Sequence, residues 1–135
     1  MLVNRDGPEQ DAALTMQQAD AGPAFTAWVY DRPIGCAGVV LAWHGVGMAW
    51  MTVSDEIADH GLWLTRITRA FLRDIIRANQ LHRLEAVALD DNVRNQHWLT
   101  VIGFTREGGT AHQFLSDRRS VQRFELVEGM DTWPK

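Results

Sequence analysis

The side chains of this sequence that could bind a metal or act as a nucleophile are few and scattered. His60, His82, His97 and His112 are separated by intervals that match no common metal-ligand pattern, so no metal site is predicted. His44 and His112 are further candidates for acid or base chemistry, but each lies in a turn-like or loop-like segment, where a plain surface position is the simpler interpretation. The single cysteine lies in an apolar run and is expected to be a small buried residue.

Length and composition are typical of one globular domain. The chain has 135 residues, and 46% of them are hydrophobic, which is enough for a core without disulfides or metals. The net charge is −4, so we expect no general attraction for nucleic acid. No signal-peptide stretch and no run of ~18 apolar residues is present. A cytoplasmic protein without a membrane partner is therefore expected.

Hydrophobic patterning predicts strands in two groups, separated by a long helix. Residues 8–20 are predicted to form a short helix, and strands over 25–30, 34–43 and 48–53 form an antiparallel meander with a turn at 44–47. A helical repeat runs from residue 58 or 61 to 78, with Asn79 as its C-cap. Four arginines form a second stripe on this helix, which we interpret as a solvated face: Arg66, Arg69, Arg73 and Arg77.

The second half of the chain continues the alternation of strands and helices. A strand over 83–89 is followed by Asp90, Asp91 and Asn92, whose oxygens suit an N-cap, and then by a helix over 93–102. Strands from 104 and over 121–127 complete the order. The helical crossover predicts that strand 83–89 runs parallel to strand 48–53. The class is therefore α/β (α+β), with a mixed, mostly antiparallel sheet.

One segment combines with this element order to indicate a family. Residues 91–104 place Asn92 after a strand, then an amphipathic helix, and then Gly103 and Phe104, with Glu107-Gly108 shortly after. The pattern resembles the GNAT (Gcn5-related N-acetyltransferase) superfamily over about residues 25–127. The resemblance implies a single domain over 1–135, with a shortened or atypical segment at 1–24. It also implies two splayed central parallel strands and flanking helices.

The resemblance further implies a cofactor and the residues that hold it. In this family the splayed strands receive the pantetheine arm of acetyl-CoA, and the N-terminus of the next helix receives the pyrophosphate. Glu85 is then the implied general base and Asn92 a second catalytic residue, with Asp55 and Glu56 as alternative bases. The implied cofactor-binding residues are Met51, Thr52, Val53, His60, Gly61, Leu62 and Asn92.

The sequence departs from the family at the pyrophosphate loop. Gly61 keeps the first glycine of that loop, but Trp63 stands where a second glycine or alanine is expected, and Ala58 replaces the basic residue. Asp59 adds a negative charge, and a carboxylate ~5 Å from a phosphate costs about 1 kcal/mol at water-like screening. These changes predict weakened binding of acetyl-CoA.

The family's usual acid is also replaced. Leu99 stands where many members carry a tyrosine that protonates the leaving thiolate. His97 is nearby but is expected to face another side of the helix.

Two functions are therefore open on the sequence alone. One is an N-acetyltransferase that transfers an acetyl group from acetyl-CoA to the amine of a small molecule or protein. The other is a catalytically inactive GNAT-fold protein that serves a protein assembly, such as the virion of a tailed phage. The altered loop, the missing tyrosine and six tryptophans, with Trp133 expected at an interface, favour the second. Fold alone does not decide between them.

Overall fold

The computed structural model describes residues 20–54 and 59–135. The predicted helix over 8–20 lies outside this part, apart from its last residue, and so do Asp55, Glu56 and Ala58. The described elements are β1 (Ala24–Val29), β2 (Arg32–Trp43), β3 (Val46–Val53), α1 (Gly61–Asn79), β4 (Arg83–Leu89), α2 (Val93–Val101), β5 (Thr105–Arg106) and β6 (Val121–Val127).

The strands of this part form one mixed sheet in the order β1-β2-β3-β4-β6-β5. Every neighbouring pair is antiparallel except β3 and β4, which are parallel. The predicted fold class is confirmed. The parallel ladder joins only three residue pairs, the last of which is Met48 with Glu85. Beyond it, β3 continues to Val53 beside β2 alone, and β4 continues to Leu89 beside β6 alone. The two central strands are therefore parted over the second half of their length.

Both helices cover one face of the sheet. Leu64, Leu72 and Ile75 of α1 pack with Leu84 of β4 and Leu99 of α2 in a single buried cluster. Strand residues alternate between the two faces, so Val87 and Leu89 lie on the opposite face. There they pack with Val121, beneath Ala111 and Leu115 of the loop between β5 and β6.

Several boundaries differ from the sequence-based expectation by one or two residues; for example, β1 covers 24–29 rather than 25–30, and β2 begins at residue 32 rather than 34. The turn predicted at 44–47 is shorter, since only His44 and Gly45 lie between β2 and β3. Gly45 has φ +81, and a Cβ there would lie 2.2 Å from Nδ1 of His82. Helix α1 continues through Asn79, and its C-cap is Gln80, in the left-handed region with φ 52.

The C-terminal tail lies against the domain. Trp133, expected at an interface, instead packs partly buried against the main core cluster. The Thr132 hydroxyl donates a hydrogen bond to the carbonyl of Gly103 at 2.6 Å. The tail therefore closes over the end of α2.

Candidate functional site

Beyond their short ladder, β3 and β4 direct free backbone edges toward each other across a gap. Strand residues point their N–H and C=O groups alternately to the two neighbouring strands. The Ser54 N–H donates to Ile34 of β2 at 2.9 Å. Alternation then directs the backbone groups of Met51 and Val53 into the gap, and those of Thr52 toward β2.

The β4 side of the gap follows the same rule. The Asp90 N–H donates to the carbonyl of Ser120, the residue just before β6, at 3.1 Å. Because the direction alternates along the strand, the backbone groups of Val87 and Leu89 face β3. The Leu89 carbonyl already accepts a hydrogen bond from the Asn92 N–H at 3.0 Å. Val87 is thus the β4 residue whose N–H and C=O both face the gap, and an extended ligand could pair there as an added strand.

A cleft of about 220 Å³ opens at the gap, between β3 and the first turns of the two helices. We call it the interstrand cleft. Its lining residues are Met51, Val53, Gly61, Leu64, Arg94, Asn95, His97 and Trp98. Helices α1 and α2 are joined beside it, since the Trp98 indole N–H donates to the Thr65 hydroxyl at 3.1 Å.

The N-terminus of α1 is open toward solvent. His60 is its N-cap residue and makes no side-chain capping hydrogen bond, and the first turn carries no acidic residue. A Cβ added at Gly61 would meet no atom of the described residues within 4 Å. The first N–H groups of a helix lack partners inside the helix and, with the helix dipole, favour an anion.

Trp63, in the first turn of α1, lies outside the lining of the interstrand cleft. Its side chain is 41% exposed, stands edge-on to the His60 ring with centroids 6.4 Å apart, and is not among the residues that line the interstrand cleft. Asp59 is exposed, where water screens its charge. Trp63 therefore does not fill the interstrand cleft, and the weakened binding predicted from the altered loop stays a prediction.

Helix α2 supplies residues that sequence reasoning missed. Arg94, Asn95, His97 and Trp98 line the cleft, and His97 faces a different side of α2 from the buried Leu99, as expected. Positions three and four apart share one helix face, and that spacing was the available signal. Leu99, at the family's tyrosine position, is only 2% exposed and belongs to the core.

Asn95 carries a buried donor without a partner. Its side-chain Nδ2 has no hydrogen bond within the described part of the chain, although almost no solvent reaches it. Such groups are rare in folded proteins because each costs roughly 1–3 kcal/mol. Asn95 also lines the cleft, so this donor lies in the wall of the cleft.

Asn92 caps α2, as predicted for this segment. Its Oδ1 accepts a hydrogen bond from the Asn95 N–H at 3.1 Å. Among the other expected cofactor residues, Met51, Val53 and Gly61 come together in the cleft. His60 is half-buried beside them, whereas Leu62 is 71% exposed.

Glu85 lies at the vertex where β3 and β4 part, on the sheet face opposite the helices. Its Oε1 accepts hydrogen bonds from Arg83 Nε at 3.1 Å and Nη2 at 2.9 Å. The same guanidinium donates to Glu125 at 2.6 Å and to Glu107 at 2.7 Å. These bonds, the one to Glu125 first, raise the pKa of Arg83 above its ordinary value. Three carboxylates share one cation, so this vertex cluster is net acidic.

We also searched the described residues for a metal site, a reactive cysteine and a membrane-spanning helix. No group of three or more His, Cys, Asp or Glu side chains there is placed to hold a metal ion. Burial raises the pKa of the Cys36 thiol, which disfavours a nucleophilic thiolate. None of the described helices is both long and apolar enough to cross a lipid bilayer.

The geometry defines a class of protein, an α+β domain with two parted parallel strands and a helix N-terminus at the gap. Solved structures of known proteins have the same fold. A GNAT-family acetyltransferase from Bacillus anthracis aligns with TM-score 0.71 and 14% identity, covering 90% of this chain and 75% of its own. Ribosomal-protein-S5-alanine acetyltransferase from Vibrio fischeri aligns with TM-score 0.70 and 16% identity, covering 94% and 72%.

A third structure contains bound CoA-disulfide. RimJ from Mycobacterium smegmatis, in complex with CoA-disulfide, aligns with TM-score 0.69 and 20% identity, covering 90% of this chain and 60% of its own. No family model matches the sequence, and no curated protein matches it either. At these identities the likeness concerns the fold, and the chain has the GNAT acetyltransferase fold.

Proposed function

We propose that this protein is an N-acetyltransferase that binds acetyl-CoA in the interstrand cleft and transfers its acetyl group to an amine. The observation that carries the proposal is the cleft itself: free strand edges, an open helix N-terminus and an unsatisfied Asn95 donor meet at one place. Two of the structures compared above are described as acetyltransferases, and the third is a complex with CoA-disulfide.

The residues present fit an anionic cofactor despite the altered loop. The first turn of α1 offers free N–H groups, and Gly61 leaves room for close approach. Arg94 lines the same cleft from α2. Its guanidinium supplies the positive charge that the loop lost at residue 58, and it pairs well with phosphate oxygens.

The elongated arm of the cofactor has matching partners deeper in the cleft. Met51, Val53 and Val87 present backbone N–H and C=O groups to the gap, as strand alternation requires. The Asn95 Nδ2 would donate to an amide carbonyl of the arm. Amide-to-backbone pairing of this kind gives affinity without dependence on side-chain identity.

Acetyl-CoA supplies an acetyl group activated as a thioester. We propose Glu85 as the group that accepts the amine proton, at Oε2, because its Oε1 is already bonded to Arg83. Asn92 holds the start of α2 and so positions Arg94 and Asn95. His97 is proposed as the proton donor to the leaving thiolate, since it lines the cleft while Leu99 is buried.

The acidic vertex cluster indicates how an amine would be held. Glu85, Glu107 and Glu125 surround a single guanidinium, so the cluster favours a cation such as a protonated amine. The proton must leave that amine before attack, and a neighbouring carboxylate provides the acceptor. The proposed acceptors are therefore amines of small molecules or proteins that reach the sheet face opposite the helices.

Calorimetric titration with acetyl-CoA tests the proposal. The wild type should bind with submillimolar affinity. Gly61→Trp should weaken binding at least tenfold, because the indole would occupy the first turn of α1, where a Cβ meets no described atom within 4 Å. The control is Gly109→Trp, at another glycine where a Cβ meets nothing within 4 Å, and it should bind like the wild type. No heat up to millimolar acetyl-CoA would overturn the proposal and favour the binding-protein alternative.

A further inference from the structure

A second, larger groove lies on the outer side of the helix layer. It has a volume of about 400 Å³ and lies between α1, the end of α2 and the C-terminal tail. We call it the arginine groove. Its lining residues are Arg66, Arg69, Ala70, Arg73, Thr100, Val101, Ile102, Gly103, Thr132, Pro134 and Lys135.

The charge of this groove is opposite to that of the chain. Three arginines and Lys135 line it, and no Asp or Glu side chain is among its lining residues. The whole sequence has 13 Lys and Arg against 17 Asp and Glu, for a net charge of −4. A local concentration of cations on an acidic protein attracts anions to that place alone. The stripe that the sequence suggested as a solvated face thus becomes one wall of a concave site.

Two of the arginines that line the groove have partners beside it. Arg69 Nη2 donates a hydrogen bond to the Val101 carbonyl at the end of α2, which fixes its guanidinium across the groove floor. Arg73 has an ion pair with Asp74 at 3.9 Å, and both side chains are largely exposed. A pair of that kind contributes little, so Arg73 can turn to a stronger anion.

The arginine groove is separate from the interstrand cleft. The two sets of lining residues have no member in common. The hydrogen bond between Trp98 and Thr65 crosses the seam between the helices above the groove. A ligand in the groove therefore leaves the acetyl-CoA site free.

From this arrangement we infer that the arginine groove binds a small ligand with several adjacent phosphate groups, of the triphosphate class. Guanidinium groups pair with phosphate oxygens through two parallel hydrogen bonds. Arg66, Arg69 and Arg73 follow one another along ~10 Å of helix, which suits successive charges in a row. The volume matches ligand sites of roughly 300–1,000 Å³. No aromatic side chain lines the groove, so it lacks the stacking surface that single-stranded nucleic acids use.

Calorimetry with inorganic tripolyphosphate at low salt tests this inference. The wild type should bind it, and Arg66→Gln/Arg73→Gln should weaken binding at least tenfold. That variant keeps Arg69 and its bond to Val101, so the fold should survive, which a thermal melt checks. Arg77→Gln is the matched control: it removes the same charge from the same helix, at a residue outside the groove lining.

Further titrations separate this site from the proposed function. Gly61→Trp should leave tripolyphosphate binding unchanged, and the double glutamine variant should leave acetyl-CoA binding unchanged. If tripolyphosphate binding is lost in Gly61→Trp instead, the ligand lies in the interstrand cleft and the inference is wrong. Equal loss in Arg77→Gln, or tighter binding of an RNA oligomer or polyglutamate than of tripolyphosphate, would also overturn it.

Discussion

Two threonines on neighbouring turns of α1 have opposite hydrogen-bonding states. Thr65 donates to the Gly61 carbonyl at 2.8 Å and accepts from the Trp98 indole at 3.1 Å. Thr68 is 5% exposed, and its hydroxyl has no partner within the described residues. An unsatisfied buried hydroxyl costs stability, whereas a bonded one contributes to it.

Replacing each threonine by valine should therefore shift stability in opposite directions. Thr68→Val removes the cost and should raise the free energy of unfolding by about 1 kcal/mol. Thr65→Val breaks two hydrogen bonds and should lower it by about 1–2 kcal/mol. Urea denaturation followed by tryptophan fluorescence measures both. A destabilising Thr68→Val would mean that the hydroxyl has a partner in solution.

His97 offers a residue-scale test of the proposed chemistry. If it donates a proton to the leaving thiolate, His97→Gln should lower kcat on the order of 10²-fold, with little change in the affinity for acetyl-CoA. His112→Gln, at an exposed loop position, is the matched control and should keep full activity. Loss of cofactor binding together with kcat would show that His97 holds the cofactor instead.

The end of α1 is set by a residue in an unfavourable backbone conformation. Gln80 has φ 52 and ψ 44, and its N–H donates to the Arg77 carbonyl at 3.4 Å. The left-handed region is unfavourable for residues with a Cβ, which clashes there, whereas glycine adopts it without this cost. Gln80→Gly should raise the free energy of unfolding by about 0.5–1 kcal/mol, measured as an increase in Tm. Gly103→Ala makes the reverse change at φ +115 and should lower Tm.

Elements with one buried face and a clear cap could be predicted from the sequence. Strands 83–89 and 121–127 have the expected bounds, and Asn92 caps α2 as expected. The C-cap of α1 was misplaced because glutamine is not a residue type that signals a left-handed cap. The turn at His44-Gly45 was predicted too long because Gly47, a buried strand residue, makes residues 44–47 a glycine-rich run.

The residues of the candidate site were only partly predictable from the sequence. Family likeness indicated Met51, Val53 and Gly61, and the structure brings them together. The residues from α2 were missed because that helix buries only Leu99, so its pattern does not fix which face meets the cleft. The point where β3 leaves β4 depends on tertiary packing and leaves no local signal in either strand.

At the scale of the molecule, the sheet consists of two halves with a narrow joint. One half is β1-β2-β3 and the other is β4-β6-β5, and three residue pairs connect them directly. Gly47 is the central residue of that joint and pairs with Leu84. The core under α1 supports the joint from one side, since Val39 and Leu84 are both 0% exposed. The cleft exists because this joint ends early.

Gly47→Ala should therefore loosen the joint. A Cβ there would lie 2.4 Å from Val39 Cγ1 and 3.2 Å from Leu84 Cδ2. Both neighbours are fully buried, so the strain should lower the free energy of unfolding by about 1–3 kcal/mol. Hydrogen exchange should show the largest loss of protection in the three-pair ladder between β3 and β4. The control is Gly109→Ala, where a Cβ meets nothing within 4 Å, and its stability should stay within about 0.5 kcal/mol of wild type. Equal urea midpoints for the two variants would mean that β3 and β4 shift apart without cost, and that the joint does not fix the width of the cleft.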